Sequence, residues 1–257
     1  MSNCLDIYPD TVDQQKDRKV NPYHAEILDI IKQNSGQATQ HTFLDSYLGN
    51  AHPRYAINAP TLRTIAKEWM KEHKKLGAVR FQETLSSLIV GESATEKYFA
   101  GILLDESTPE QRRFDPRSFE KWLDHLVGWA EVDSVCTGHY TITAIPENFA
   151  AWKKILVRLS KSKNSNKRRA SLVFLCSPLR RVKDERLAPL ALENVDRLKG
   201  QREILITKAI SWVLRSMVNH NKTLLENYVK KNQNTLPAIA VRETLTKLKT
   251  GKKTGKL

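Results

Sequence analysis

Apolar residues recur at spacings of three and four along almost the whole chain, the pattern of amphipathic helices. Asn21-Pro22 places a capping side chain before a proline at the first helical position, which predicts a helix start. Ile27, Ile30 and Ile31 form its buried stripe, and Gly36 ends it. A second helix carries Phe43, Leu44, Tyr47 and Leu48 and stops near Gly49. Beyond a loop containing Pro53, Pro60 opens a third, with Leu62, Ile65, Ala66, Trp69 and Met70 inside. Val79–Val90 comes next, and Ser93-Ala-Thr-Glu96 is a capping box for another helix. Pro116–Val127 reads as one helix with Phe119, Trp122, Leu123 and Leu126 buried. Pro146 is expected to open another, carrying Phe149, Trp152, Ile155, Leu156 and Leu159. Further helices are predicted near 166–176, 184–198, 203–218, 222–231 and 237–249.

No stretch alternates apolar and polar residues between hairpin turns, so no strand series is expected. The chain is predicted to be all-α. Helix pairs recur at roughly 35–45 residues, the period of HEAT-like repeats stacked into a curved α-solenoid. Letter-by-letter repetition is weak, and a compact helical bundle is the competing architecture. Residues 1–20 are polar and aperiodic and read as a loose N-terminal extension. Residues 21–249 form a single domain, and 250–257 a short basic tail.

Charge adds a partner to this picture. The 257 residues carry a net charge of +14, a large excess that calls for an acidic partner, with a polyanion first. It makes the concave face of the array a candidate basic surface, although solvated lysine faces are also common. The three cysteines, Cys4, Cys136 and Cys176, are scattered and odd in number, which suits a reducing compartment rather than a disulfide framework. The apolar runs are short and broken by charge, so no transmembrane stretch is expected. The first twenty residues mix four Asp with three basic residues and lack an apolar core, unlike a signal peptide. A cytoplasmic monomer that does not engage membranes is the expectation. Cys136 and His139 have metal-like spacing, but no second pair of ligands stands nearby, so no metal site is expected.

The candidate chemistry centres on Gly128-Trp-Ala-Glu-Val-Asp-Ser-Val-Cys136. Trp129 and Asp133 are four apart and share one helix face, while Val132, Val135 and Cys136 form the buried side. A carboxylate beside an indole fits a site. The plainer alternative is a packing tryptophan and an aspartate complementing the helix dipole. Lys161-Ser-Lys-Asn-Ser-Asn-Lys-Arg168-Arg169 runs cations into a helix start, where they oppose the dipole. Phosphates would favour them there, and a solvated loop is the alternative. Arg180, Arg181, Lys183 and Arg186 form a second cluster. In Lys208-Ala-Ile-Ser-Trp212-Val-Leu-Arg215, two cations flank an indole on one face, as in grooves that grip a sugar-phosphate chain. Taken alone, Trp212 reads as core between Ile210 and Val213. Asp133 and Arg169 are 36 apart, and Arg169 and Trp212 are 43 apart. Each step is about one repeat, so the three positions are expected to line one surface.

These residues resemble the AlkD-type DNA alkylation-repair proteins, DNA glycosylases built from HEAT-like repeats. Trp129-x-x-x-Asp133-Ser134 is similar to that family's Trp and catalytic Asp motif. Arg168-Arg169-Ala170 is similar to its Arg-Ala element, and Lys208–Arg215 to its Lys-Ala-Ile-Gly-Trp-x-Leu-Arg segment. Tyr47 resembles the family's N-terminal aromatic, with Pro60 and Arg63 at familiar places after it, and Pro237…Arg242-Glu243 resembles the closing helix. The likeness covers about residues 21–249. Ala130, Asn166 and Ala56 depart from the pattern beside the matched positions.

The resemblance implies excision of cationic N7- or N3-alkylated purines from double-stranded DNA without metal or organic cofactor. Asp133 would stabilise the cation-like sugar. Trp129, Trp212 and Tyr47 would cradle the lesion, and Arg169, with Arg168, Lys208 and Arg215, would hold phosphates. A non-catalytic binder of damaged or branched DNA and a helical-repeat scaffold for an acidic protein remain the alternatives.

Overall fold

The computed structural model describes residues 21–36, 49 and 51–254. The predicted helix around Phe43–Leu48, with Tyr47, lies outside them. Every regular element among the described residues is a helix. The caps read from the sequence are made: the Asn21 side chain accepts from the Tyr23 amide at 3.0 Å and opens α1 (Pro22–Gln33). The helix expected to open at Pro60 is α2 (Ala59–Glu72), and Asn58, not singled out in the sequence, caps it by accepting from the Thr61 amide at 2.9 Å. After α3 (Ala78–Val90), Ser93 and Glu96 exchange both bonds of the capping box and open α4 (Ala94–Glu106). Then come α5 (Ser118–Trp122), α6 (Gly128–Cys136), α7 (Thr141–Glu147), α8 (Phe149–Ser160) and α9 (Ser165–Val173). The chain continues through α10 (Cys176–Arg181), α11 (Leu187–Leu198), α12 (Ile204–Ser216), α13 (Lys222–Asn232) and α14 (Ala238–Thr250).

The helices stack as pairs in two layers. In one layer α2, α4, α6, α9, α12 and α14 each pack on the next. In the other, α3, α8, α11 and α13 each pack against the first-layer helix that comes after them in sequence. First-layer helices begin at Ala59, Ala94, Gly128, Ser165, Ile204 and Ala238, between 34 and 39 residues apart. The periodicity expected from the sequence is thus the periodicity of the stack, an α-solenoid rather than a compact bundle. Its core is continuous from Ile27 to Ala240. A fully buried leucine such as Leu85 or Leu172 contributes roughly 1.5–3 kcal/mol. The stripes predicted for Leu62–Met70, Phe81–Ile89 and Trp152–Leu159 are all buried.

Three predicted helices differ in their boundaries. The stretch from Pro116 holds α5 only over Ser118–Trp122, because the chain then tightens into i−3 bonds, Asp124 amide to Lys121 and His125 amide to Trp122. Leu123 and Leu126 stay buried all the same. Pro146 lies near the end of α7 rather than opening a helix; the break falls at Asn148, with φ −122° and ψ 46°, and α8 starts at Phe149. The helix expected over 166–176 divides into α9 and α10. Pro178 has no amide proton to donate to the Phe174 carbonyl, so a continuous helix loses a bond there.

Gly101 sets the closest approach in the first layer. A Cβ built on it would stand 2.2 Å from the Ser134 carbonyl oxygen, so α4 and α6 meet there through backbone. Gly101→Ala should therefore force the two helices apart and lower unfolding free energy by about 1–3 kcal/mol. Gly200→Ala, with nothing within 4 Å of the added methyl, is the near-neutral control. Urea unfolding of the two variants checks this, and equal midpoints would show that the α4–α6 spacing is free to relax.

Candidate functional site

α6 divides its residues as its sequence predicts. Val132, Val135 and Cys136 are fully buried, and Trp129 and Asp133 are left half-buried on another face. Asp133 is met by Arg169 from α9. The guanidinium donates from Nε to Oδ1 at 2.8 Å and from Nη2 to Oδ2 at 2.7 Å, a bidentate ion pair. Its third nitrogen, Nη1, donates to the Leu205 carbonyl of α12 at 2.6 Å. Three successive first-layer helices are joined through one side chain. The Asp133 side chain keeps 13% of its surface open and the Arg169 side chain 5%.

Burial pushes the Asp133 carboxyl above the usual aspartate range, and the bonds and charge of Arg169 oppose this without cancelling it. Burial likewise pushes the neighbouring Cys136 thiol well up, with the Asp133 charge adding to it. Cys136 is therefore a protonated core residue near neutrality, not a nucleophile.

The other predicted residues are more open than Arg169. Arg168 donates to the carbonyls of Ser162 and Lys163, to Gln201, and to Glu203 at 2.9 Å. Arg215 bonds to Ser211 and pairs with Glu243 at 3.3 Å. Lys208 is exposed on α12, and Trp212 is half-buried against the core on the same face. Tyr47 lies outside the described residues. The structure thus joins Asp133 to Arg169 and places Lys208, Trp212 and Arg215 along α12. It directs Arg168, Arg169 and Arg215 to partners within the protein, where the sequence led one to expect phosphates.

The residues that depart from the family pattern have local roles of their own. Asn166 donates to the Leu126 carbonyl at 2.7 Å and ties the start of α9 to the turn before α6. Ala56 borders a cavity of about 640 Å³ between α2, α4 and α6, also lined by Arg63, Tyr98, Asp105, Ser134 and His139. A cleft of about 730 Å³ around Phe114, Tyr140 and Trp152 contains none of the predicted site residues. Among the described residues, Glu26, Glu72 and His73 are the group able to share a metal; Glu72 is exposed, and none of the three belongs to the Asp133 site. Cys136 is buried and His139 exposed, so the two do not share an environment.

Sequence reasoning missed a buried polar group behind the site. Glu131 is fully buried, bonded to His52 Nδ1 at 2.9 Å and to the Val127 amide at 2.7 Å. Lys97, also buried, donates to the Gly91 carbonyl; burial lowers its pKa, and the charges of Glu131 and Glu96 oppose this. The signal was present in a lone lysine at the head of the apolar run Tyr98–Leu104, and in an acid two residues before Asp133.

Fold and site define a helical-repeat protein that carries an arginine-clamped aspartate beside a tryptophan on its layer of stacked helices. A family model described as DNA alkylation repair enzyme matches residues 31–248, and the chain belongs to that family. Its work is therefore in the repair of alkylated DNA. A solved structure titled "Predicted DNA alkylation repair enzyme from Enterococcus faecalis" shares the fold, with a TM-score of 0.67 at 18% identity. The match covers 83% of this chain and 99% of that one. No curated protein matches the chain in sequence.

Asp133 should titrate above the ordinary aspartate value in the folded protein, and Arg169→Met should move it higher still, since the opposing bonds and charge are lost. Carboxyl-detected NMR across pH 3 to 8 on both proteins measures this directly. A lower value in the variant would mean that Arg169 does not hold the carboxylate in solution.

Proposed function

We propose that this protein is a monofunctional DNA glycosylase that removes cationic N7- and N3-alkylated purines from double-stranded DNA. The observation that carries the proposal is the clamped carboxylate of Asp133, set one helical turn from Trp129 in a chain of the alkylation-repair family. An alkylated purine of this kind already bears a formal positive charge. When its N-glycosidic bond breaks, the electron pair goes to the base, which leaves neutral, so no general acid is needed. Positive charge develops on the sugar instead, as in glycoside hydrolysis, and a fixed carboxylate stabilises it. Water adds to the anomeric carbon, and its proton passes to Asp133 or to solvent. No cofactor enters this scheme.

Arg169 positions Asp133 in this reading. Two parallel bonds fix the plane of the carboxylate, and the guanidinium opposes the pull of burial toward its protonated form. With 5% of its side chain open, Arg169 has little surface left for a DNA phosphate. The phosphate contacts fall to exposed cations of the same layer: Arg63, Lys67 and Lys71 at i, i+4 and i+8 on α2, Lys208 on α12 and Arg242 on α14. Trp129 and Trp212 add aromatic faces that attract a cationic base and sugar.

Release of 7-methylguanine and 3-methyladenine from methylated duplex DNA tests the proposal. Asp133→Asn should slow release by ~10²–10⁴ while leaving duplex binding intact. Lys208→Ala should flatten the salt dependence of binding by about one phosphate. Arg169→Met should leave that slope alone and slow release. Binding without release by the wild type would make the aspartate–tryptophan cluster a recognition surface instead.

A further inference from the structure

The segment before α2 is strapped across the starts of two first-layer helices. The Pro53 carbonyl accepts from the Ala94 amide at 2.8 Å, and the Tyr55 amide donates to Thr95 Oγ1 at 3.0 Å. Both bonds pin the strap to the first turn of α4. One residue earlier, His52 donates from Nδ1 to Glu131 Oε1 at 2.9 Å and pins it to the first turn of α6. The other Glu131 oxygen accepts from the Val127 amide at 2.7 Å, reaching back over the helix start as a capping acid does. Just upstream, Gly49 and Gly128 face each other, both with positive φ, and a Cβ on Gly49 would stand 3.3 Å from the Gly128 Cα. Backbone and side chain together lock the start of α6 to the strap.

We infer that His52 is a positioning residue of the Trp129–Asp133 site, acting through Glu131 to fix the first turn of α6. Glu131 has no exposed surface, so its carboxylate depends on protein partners: the Val127 amide, the charge of Lys97, and His52. Of these, the Val127 amide is local to α6, and Lys97 lies in the body of α4. His52 is the partner on the strap. Trp129 lies between Val127 and Glu131, so a shift of that turn moves the indole and then Asp133 one turn on. The histidine keeps 26% of its side chain exposed, so replacing it opens no core cavity. The inference rests on the glycosylase reading for its rate effect, but not for its geometry.

Three measurements test it. First, ¹⁵N NMR of the wild-type His52 ring should show Nδ1 protonated at neutral pH; a bare Nδ1 overturns the inference before any variant is made. Second, His52→Ala should move the Trp129 indole N–H resonance and leave those of Trp69 and Trp152 in place, with the melting temperature little changed. His52→Asn, whose amide can donate from the Nδ1 position, should restore it. An unmoved Trp129 signal, or an Asn variant no better than Ala, overturns the inference. Third, single-turnover release of 7-methylguanine should fall roughly tenfold in His52→Ala, the scale of a small misplacement of reacting groups, with undamaged-duplex affinity kept. If the wild type releases no base, the glycosylase reading fails while the first two measurements still decide the role of His52.

Discussion

A helix pair of this chain cannot satisfy its own polar groups, and each repeat completes them in the next. Trp122 donates to Ser86, Asn166 to Leu126, Arg168 to Glu203, Arg169 to Asp133 and Ser211 to Glu243, across 32 to 40 residues of sequence. Apolar stripes bring the first-layer helices together without fixing their axial register. The directional bonds supply that register, since a slip of one residue would separate donor from acceptor. The stack is thus held by a general attraction and specified by a ladder of particular bonds.

The Asp133–Arg169 pair is one rung of that ladder, and it costs more than the others. Two charges taken out of water recover their desolvation only with good geometry and full bonding, and an apolar pair of like volume is often as stable. The rest of the core shows that apolar packing is available to this sequence: Val132, Val135, Leu172 and Val173 lie in the same two helices, all fully buried. An ion pair set among them is not accounted for by stability alone. The need for full bonding explains why Arg169 bonds to the Leu205 carbonyl as well. A guanidinium anchored to a third helix cannot swing away from its aspartate.

Much of this was legible in the sequence. The stripe of Leu62–Met70, the capping box at Ser93 and the one-repeat spacing of Asp133 and Arg169 each come from local periodicity, and periodicity survives without knowledge of the tertiary structure. Helix ends were less legible where proline was involved. Pro146 lies inside α7 near its end rather than opening a helix, Pro178 sits in the first turn of α10, and which role a proline takes depends on neighbours the chain order does not reveal. The role of Arg169 was hidden for a similar reason. An arginine beside other cations suggests phosphate, because charge runs are usually solvated. Its burial to 4% is fixed by the α9–α12 packing, which no window of the sequence contains. Glu131 and Lys97 were hidden by the same logic, since long-range bonds decide whether a charge is tolerable inside.

The opposing demands on Asp133 give the site its character. In the proposed glycosylase reading, burial strengthens its attraction for a developing sugar cation, because the field is little screened, but burial also favours the protonated form that has no such attraction. Arg169 shifts the balance back toward the anion and at the same time cancels part of its charge. A carboxylate whose two oxygens are both engaged by a guanidinium is a poor nucleophile. In that reading it serves a reaction whose bond is already weak and whose transition state needs a fixed, modest negative potential. A purine made cationic by alkylation meets that condition and an ordinary nucleotide does not. In the proposed glycosylase reading, discrimination against undamaged DNA then requires no deep base pocket, because the lability of the cationic lesion's own bond supplies it.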